Sequence, residues 1–191
     1  LLQVCHVLRY SPFFAAVHDI VASGRLGDIV TVEHRENVTY WHMSHSFVRG
    51  HWRNSQLSSP MILAKCCHDM DIVYWNLGPC KRLSSFGSLL HYRPENAPKG
   101  APERCTDGCP VADECPWYAP RIYMDLTPLR HNRPNVEIPD NYHGWPRSVV
   151  CEDATPEGLQ LALETGPYGR CVYHCDNDVV DNQIVTMEMQ I

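Results

Sequence analysis

Proline is concentrated in one part of this chain, and that concentration restricts the fold more than any other feature of the sequence. Most of the 15 prolines fall within residues 93–147. Because proline donates no backbone hydrogen bond, it is disfavoured in helix interiors and in central strands. We therefore expect residues 93–147 to form a long Pro/Cys-rich insertion, with one short helix near residues 119–125. A loop of this length is unusual in a compact domain, so some interaction should fix it in place.

The segments on either side of the insertion carry helix and strand patterns. Ser11-Pro12 is a typical helix start and Ser23-Gly24 a typical helix stop, so a helix is predicted between them. A second helix is predicted from Ser59 to Leu77, because apolar side chains recur there on one face and Gly78-Pro79 ends the pattern. Strands are predicted at residues 2–8, 29–35, 82–91, 159–164, 171–175 and 180–191.

The overall charge argues against two classes of partner. The 22 acidic and 16 basic side chains give a net charge of −6, and no lysine/arginine cluster stands out. We therefore expect neither nucleic acid nor an anionic membrane as a partner. No apolar run approaches the roughly 20 residues that a membrane helix requires, so a cytoplasmic protein is predicted. The 10 cysteines are too few for composition alone to imply a disulfide scaffold, and a reducing compartment is expected.

Three polar side chains of the second predicted helix are candidates for catalysis. Lys65, His68 and Asp71 are spaced three residues apart, so they fall near one face of a helix and converge on one site. A histidine exchanges protons near neutral pH, a lysine polarises an oxygen, and an aspartate orients the imidazole. The alternative is a buried helix with polar residues at its solvent edge, and spacing alone favours that alternative.

Residues 38–60 have a composition typical of a small-molecule pocket. Aromatic, imidazole and guanidinium groups are interleaved there, and such groups stack on polar ligands and hydrogen-bond to them. The alternative interpretation is a long ordered surface loop. The candidate substrate contacts in this segment are His42, His45, Arg49, Trp52 and Arg53.

The cysteines of the insertion are candidates for a structural metal site. Cys105, Cys109 and Cys115 supply three thiolates within eleven residues, and Cys175, in a Cys-x3-Cys pair, offers a fourth. Four thiolates suit tetrahedral Zn²⁺, and a bound ion would fix the proline-rich segment. Cys151 competes as the fourth ligand. The alternatives are free thiols in a loop, or a disulfide formed on isolation.

Several short motifs occur in a specific order along the chain. They are Leu-Arg9-Tyr-Ser-Pro12, Ser-Gly24-Arg-Leu-Gly27-Asp-Ile, Trp52-Arg53, His68-Asp-Met-Asp71, Trp75-Asn-Leu-Gly78 and Cys175-Asp-Asn-Asp178. Each motif is short, but their shared order and spacing resemble the C-terminal domain of the Gfo/Idh/MocA oxidoreductases. The resemblance covers residues 1–91 and resumes around residues 159–191.

The resemblance implies a fold and a domain organisation. The fold is α+β, with an open, mainly antiparallel sheet and helices packed on one face, to which the insertion is added. Residues 1–10 would be the last strand region of a Rossmann domain, and residues 11–191 a substrate-binding and oligomerisation domain truncated at its C-terminus. NAD or NADP would be bound by the N-terminal Rossmann domain of the same chain, outside this sequence. A homo-oligomer is expected to form through the open sheet.

The resemblance also implies a reaction, a hydride transfer between a nicotinamide and a sugar-like or polyol substrate. His68 matches the family histidine that transfers the proton, and Lys65 would support the histidine. Asp71 matches the last Asp of the same pattern and is a further candidate substrate contact. The first Asp of that pattern is replaced by Ala64. No Gly-x-Gly-x-x-Gly turn is present, so this chain alone is expected to be inactive. The alternative is a non-catalytic binding or assembly domain, stabilised by zinc, that keeps the same fold.

Overall fold

The computed structural model describes residues Leu1–Gln190 and combines helices with one small sheet. The helices are α1 (Pro12–Ala22), α2 (Tyr40–Met43), α3 (Met61–Ala64), α4 (Cys67–Leu77), α5 (Ala119–Tyr123), α6 (Thr127–Asn132), α7 (Arg147–Val150) and α8 (Pro156–Thr165). Strands β1 (Cys80–Ser88) and β2 (Asn182–Met189) pair with each other. Short 3-10 helices occupy Val7–Tyr10, Pro94–Asn96 and Pro167–Gly169, and a π-helix occupies Ser44–Arg49. The predicted α+β class is confirmed.

The chain divides into two units. Unit 1 comprises Leu1–Asn37, Met61–Gly87 and the chain from Gln183 onward. Unit 2 comprises Val38–Pro60 and Ser88–Asn182. The predicted insertion therefore falls within unit 2, whereas the His68-Asp-Met-Asp71 motif falls within unit 1.

In unit 1, helix α1 begins and ends where the sequence predicted. Pro12 occupies the first helical turn, where its missing N–H costs nothing. The chain leaves the helix through Gly24, whose positive φ of 69° suits a residue without a Cβ. Helix α1 packs on α4, and the ring of His18 stacks on that of Trp75 with centroids 4.0 Å apart.

The second predicted helix is broken at Lys65-Cys66. Helix α3 ends at Ala64, and α4 begins at Cys67. The backbone N–H groups of Lys65 and Cys66 both donate to the carbonyl of Met61, at 2.9 and 3.2 Å, which widens the last turn of α3. The prediction of one continuous helix from Ser59 was therefore wrong.

Strands β1 and β2 confirm two of the predicted strands, those at residues 82–91 and 180–191. Their antiparallel pairing shows at both ends, where Asp181 N–H donates to Ser88 O at 3.0 Å and Gln190 N–H donates to Pro79 O at 2.9 Å. Ile191, the last residue of the predicted strand, lies outside the described residues. The strands predicted at 2–8 and 29–35 were wrong, because neither segment pairs with another strand within the described part of the chain. In the second segment Val30 and Val32 are exposed.

Unit 2 holds a packed aromatic and aliphatic core. Tyr123, Ile122 and Leu126 are fully buried and pack with Leu163 of α8. Helix α8 replaces the strand predicted at 159–164. Thr155 caps it by accepting a hydrogen bond from the N–H of Gly158 at 3.1 Å. The strand predicted at 171–175 is likewise wrong, because these residues form turns.

Arginine side chains fix the proline-rich insertion in place. Arg147 donates to the carbonyls of Tyr123 at 2.7 Å and Asp140 at 2.6 Å. Arg121 donates to the carbonyls of Ala112 and Cys115 at 2.9 and 2.8 Å. Because these guanidinium groups supply the donors, the irregular backbone has its polar groups satisfied without a regular ladder. The short helix predicted near residues 119–125 is confirmed as α5.

Candidate active site

The His68-Asp-Met-Asp71 motif forms the first turns of α4, and its last carboxylate is clamped by an arginine. Arg9 donates from Nε to Asp71 Oδ2 at 2.8 Å and from Nη2 to Oδ1 at 2.6 Å. This two-point contact joins the first motif of the sequence to the fourth. The hydrogen bonds from Arg9 hold the pKa of Asp71 below its usual value. Asp71, predicted to contact substrate, therefore has its carboxylate engaged by Arg9.

His68 lies one residue into α4, and its ring is half-buried. Its Nδ1 atom is buried and has no hydrogen-bond partner. Within the motif, His68 contributes to the electrostatic surroundings of Asp71. A half-buried imidazole with an uncommitted ring nitrogen retains the capacity to accept or donate a proton.

Lys65 lies on the turn between α3 and α4 rather than on a helix face shared with His68. Its Nζ lies 2.6 Å from Glu36 Oε1. The argument from helical spacing that placed Lys65 beside His68 therefore does not hold across the break. The lysine charge is paired with a carboxylate that the sequence reasoning did not single out.

A second pair close to His68 was also missed. The Nε2 atom of His34 lies 2.7 Å from Oδ1 of the buried Asp69, whose Oδ2 has no partner. His34 belongs to the segment at residues 29–35, which was predicted as a strand for its β-branched composition, and that prediction gave the imidazole no role. The only signal in the sequence was an imidazole within a polar stretch ahead of the motif.

These pairs border an open groove of about 750 Å³ within unit 1. Its walls come from residues 29–36, from α4 and from β2. The residues that line it include the polar His34, Glu36 and Asp69 and apolar side chains such as Val73 and Met187, whereas His68 is not among them. A groove of this size with a few polar groups on a largely apolar wall is typical of a small-molecule site.

The substrate contacts predicted in residues 38–60 fall in unit 2, and two of them are enclosed. His45 is 2% exposed and Arg49 is 0% exposed. The ring of His45 stacks on Tyr168, and burial is the main cause that lowers the pKa of His45 to about 3. Arg49 donates to the carbonyls of Arg170 and Trp117, each at 2.7 Å. Neither side chain offers a ligand an open surface.

The remaining contacts predicted in this segment lie nearer the surface of unit 2. Arg53 donates to Asp176 at 2.8 Å, and Arg170 donates to the same carboxylate at 2.7 Å. Hydrogen bonding to Arg53 lowers the pKa of Asp176 well below its usual value. The Trp52-Arg53 motif is thus joined to the motif that begins at Cys175. His42 packs edge-on against the Trp145 ring, with centroids 5.1 Å apart.

The cysteines predicted to bind zinc are divided by the structure. Cys105, Cys109 and Cys115 line one small cavity in unit 2, and the fourth thiol in that wall belongs to Cys171. Cys175 instead donates from Sγ to the carbonyl of Cys171 at 3.2 Å. Across residues 1–190, no group of three or more His, Cys, Asp or Glu side chains is drawn together closely enough to hold a metal ion. Burial raises the pKa of the Cys171 thiol to about 11.

Comparison with known proteins identifies the class. These comparisons place the chain among oxidoreductase-type domains. Residues 14–109 match the GFO/IDH/MocA C-terminal domain model, which is about half of the chain, so the chain belongs to the Gfo/Idh/MocA family. It is also similar to a putative oxidoreductase, YteT, of Bacillus subtilis (strain 168), with 28% identity over 115 residues.

That similarity covers part of each protein. The aligned region is 58% of this chain and 27% of the Bacillus protein. No solved structure matches the chain. Among residues 1–190, no helix has the length and apolar character needed to cross a membrane.

Proposed function

We propose that this chain forms the substrate-side domain of an NAD(P)-dependent oxidoreductase that acts on a sugar-like or polyol substrate. The observation that carries the proposal is His68, whose buried Nδ1 is uncommitted on a helix clamped by the Arg9–Asp71 ion pair. The nicotinamide, held by an N-terminal Rossmann domain of the same chain, would accept or supply the hydride.

His68 acts as the general acid or base at the substrate hydroxyl. As a hydroxyl is oxidised to a carbonyl, its proton must leave, and a neutral imidazole accepts it; in the reverse direction the imidazolium returns it. The Arg9–Asp71 pair fixes the first turns of α4 and thereby the position of the ring. Because Nδ1 is buried, the proton exchange with the substrate is assigned to the other ring nitrogen, Nε2, while the helix orients the ring.

The groove of unit 1 has polar groups that suit a substrate with several hydroxyl groups. His34 and Glu36 lie in its wall, and Lys65 lies next to Glu36. Such groups exchange hydrogen bonds with hydroxyls, which suits a polyol better than a purely apolar ligand. His68 does not line the groove, so the groove supports the substrate class and not the position of the reacting hydroxyl. The predicted contacts His42, Trp52 and Arg53, which belong to unit 2, remain proposals as substrate contacts.

The test is activity of the full-length protein with NAD⁺ and NADP⁺ against a panel of sugars and polyols. His68→Ala should lower kcat/KM by about 10²–10⁴-fold, the range for loss of a general acid or base. His131→Ala, at an exposed position outside the proposed site, is the matched control and should leave kcat/KM unchanged. Unchanged turnover in His68→Ala would remove this histidine from the mechanism.

A second candidate is a non-catalytic binding or assembly domain of the same fold. The observation that favours it is Ala64, which stands where the family pattern has an Asp. If the full-length protein binds neither NAD(H) nor NADP(H) in a calorimetric titration and oxidises no member of the panel, this second candidate replaces the first.

A further inference from the structure

Four cysteines of unit 2 line one small cavity. Cys105, Cys109, Cys115 and Cys171 all contribute to the wall of this cavity, whose free volume is about 10 Å³. A space of that size admits about one water molecule. Four thiols that line one small cavity have the ligand number and type of a tetrahedral zinc site.

Two of the four thiols are brought together by a short antiparallel bridge. Arg104 and Arg170 form the bridge, and the chain continues it on both sides. Cys105 N–H donates to Gly169 O, and Cys171 N–H donates to Glu103 O, each at 2.8 Å. Because alternate residues of paired strands point to the same face, Cys105 and Cys171 lie diagonally on the face opposite the two arginines.

The other two thiols lie on a loop that is curled into tight turns. Ala112 N–H donates to Cys109 O at 3.3 Å, and Cys115 N–H donates to Val111 O at 2.9 Å. Arg121 closes the curl by donating to three carbonyls of residues 112–115, those of Ala112, Asp113 and Cys115. The backbone positions of Cys109 and Cys115 are therefore fixed without the help of their thiols.

Arg49 joins the two halves of this thiol wall, and its charge has no counter-ion. Its Nε donates to Arg170 O and its Nη2 to Trp117 O, while Nη2 also lies 3.5 Å from Cys105 Sγ. The side chain is fully buried, and its Nη1 has no hydrogen-bond partner. No carboxylate forms an ion pair with it in the part of the chain that the structure describes. A buried guanidinium without an anion is costly, because it has lost water and gained no opposite charge.

We propose that Cys105, Cys109, Cys115 and Cys171 bind one structural Zn²⁺ ion and that Arg49 compensates the charge of the complex. Binding exchanges four S–H bonds for four Zn–S bonds and releases four protons to solvent. The resulting centre carries a net charge of −2, and it lies beside the buried guanidinium of Arg49, which has no ion pair among the described residues. The bound ion accounts for both the shared cavity and the unpaired guanidinium.

The ion must draw the thiols inward from the positions they hold as free thiols. The side chains are not gathered into a metal-binding group. The Sγ of Cys105, for example, is 3.9 Å from the carbonyl of Arg170. The choice of Cys171 over Cys175 follows from the cavity wall, which includes the first thiol and not the second.

The size of the cavity favours a single ion over an iron–sulfur cluster. Tetrahedral sets of four thiolates bind either zinc or iron–sulfur clusters. A cluster introduces several iron and sulfide atoms and needs more room than a single ion, whereas the free space between the lining side chains is small, about 10 Å³. The assignment is therefore zinc.

In the first experiment, the full-length protein is dialysed against metal-free buffer and its zinc content is measured by elemental mass spectrometry. One zinc per chain is expected in the wild type and in Cys175→Ser, a matched variant only four residues from Cys171. Cys171→Ser should bind zinc at least about tenfold more weakly, since even altered neighbours of metal ligands have effects of that size. Loss of zinc in Cys175→Ser with retention in Cys171→Ser would overturn the assignment.

The second experiment needs no variant to fold. Cysteines of the wild type are alkylated with iodoacetamide before and after zinc is removed with a chelator, and the modified positions are mapped by mass spectrometry. The four proposed ligands should be protected before chelation and react faster after it, while the exposed Cys5 should react in both cases. Iron with acid-labile sulfide, a disulfide between any two of the four, or no protection by zinc would each refute the proposal.

Discussion

The two units differ in how their buried residues are stabilised. Among the described residues, unit 2 holds all but two of the buried apolar side chains, and its polar backbone is satisfied by arginines that reach into the core. In unit 1 the buried apolar side chains are Met61 and Ile72, and the buried polar ones are the acids Asp69 and Asp71. Unit 2 is thus organised by packing, whereas the motif of unit 1 is organised by ion pairs.

Polar side chains of the same types, above all histidine, have different surroundings in the two units. In unit 2 the arginines donate mainly to backbone carbonyls, and the buried His45 remains neutral because burial lowers its pKa to about 3. In unit 1 the ring of His68 is half-buried and has an uncommitted nitrogen. A packed core fixes polar side chains in single roles, whereas no hydrogen bond fixes Nδ1 of the half-buried His68.

The largest effect on stability is expected in the core of unit 2. Leu163→Ala should lower the free energy of unfolding by about 2–5 kcal/mol, because a fully buried leucine leaves a cavity. Leu161→Ala, two residues earlier on α8 and 60% exposed, should change it by less than about 0.5 kcal/mol. Denaturant unfolding followed by tryptophan fluorescence measures both. Equal losses of unfolding free energy in the two variants would show that α8 does not bury the face that carries Leu163.

A smaller, pH-dependent effect is expected at the ion pairs. The pKa of Asp71 is lowered mainly by hydrogen bonds from Arg9, so the folded state holds the charged form more strongly than the unfolded state does. This stabilisation is fully present above about pH 4, the usual carboxyl value. It is lost as the pH falls through the pKa of the folded protein. Asp71→Asn should therefore weaken the protection of α4 amides from hydrogen exchange near neutral pH.

The matched comparison is Asp176→Asn in unit 2. The pKa of Asp176 is lowered by Arg53 and Arg170, but its side chain is 51% exposed, against 7% for Asp71. Solvent screens the exposed pair more strongly, so Asp176→Asn should reduce the protection of its own unit less than Asp71→Asn does. The reverse order would show that packing supports α4 more than the ion pair does.

The smallest effect on stability is expected on the sheet, where we propose that a second copy of the protein packs. Phe86 of β1 and Ile184 of β2 are 73% and 64% exposed. A two-stranded sheet is marginally stable without a covering layer. Phe86→Ser should leave the unfolding midpoint nearly unchanged and shift the mass measured by light scattering from oligomer towards monomer. Leu90→Ser, at another exposed position, should leave that mass unchanged. An unchanged mass would remove this face from the interface.

Local sequence signals predicted the elements whose ends are chemically marked. Helix α1 follows from Ser11-Pro12 and Gly24, and β1 and β2 follow from their strand patterns. Helix α8 was missed because its leucines alternate along residues 159–163, which imitates a strand. The cap at Thr155 and the burial of Leu159 and Leu163, four residues apart, are helical features. The pattern of leucines alone does not distinguish a helix from a strand in this segment.

Local sequence patterns were also insufficient to predict the geometry of the candidate site. The sequence by itself determined the family motifs, the candidate histidine and the group of cysteines, because these depend on residue type and order. Only the tertiary structure showed that Arg49 is buried among thiols, that Asp71 is clamped by Arg9, and that Cys171 rather than Cys175 faces the cavity. These facts depend on contacts between residues distant in the chain, and burial, which decides whether a charge is solvated or paired, is a property of the folded molecule.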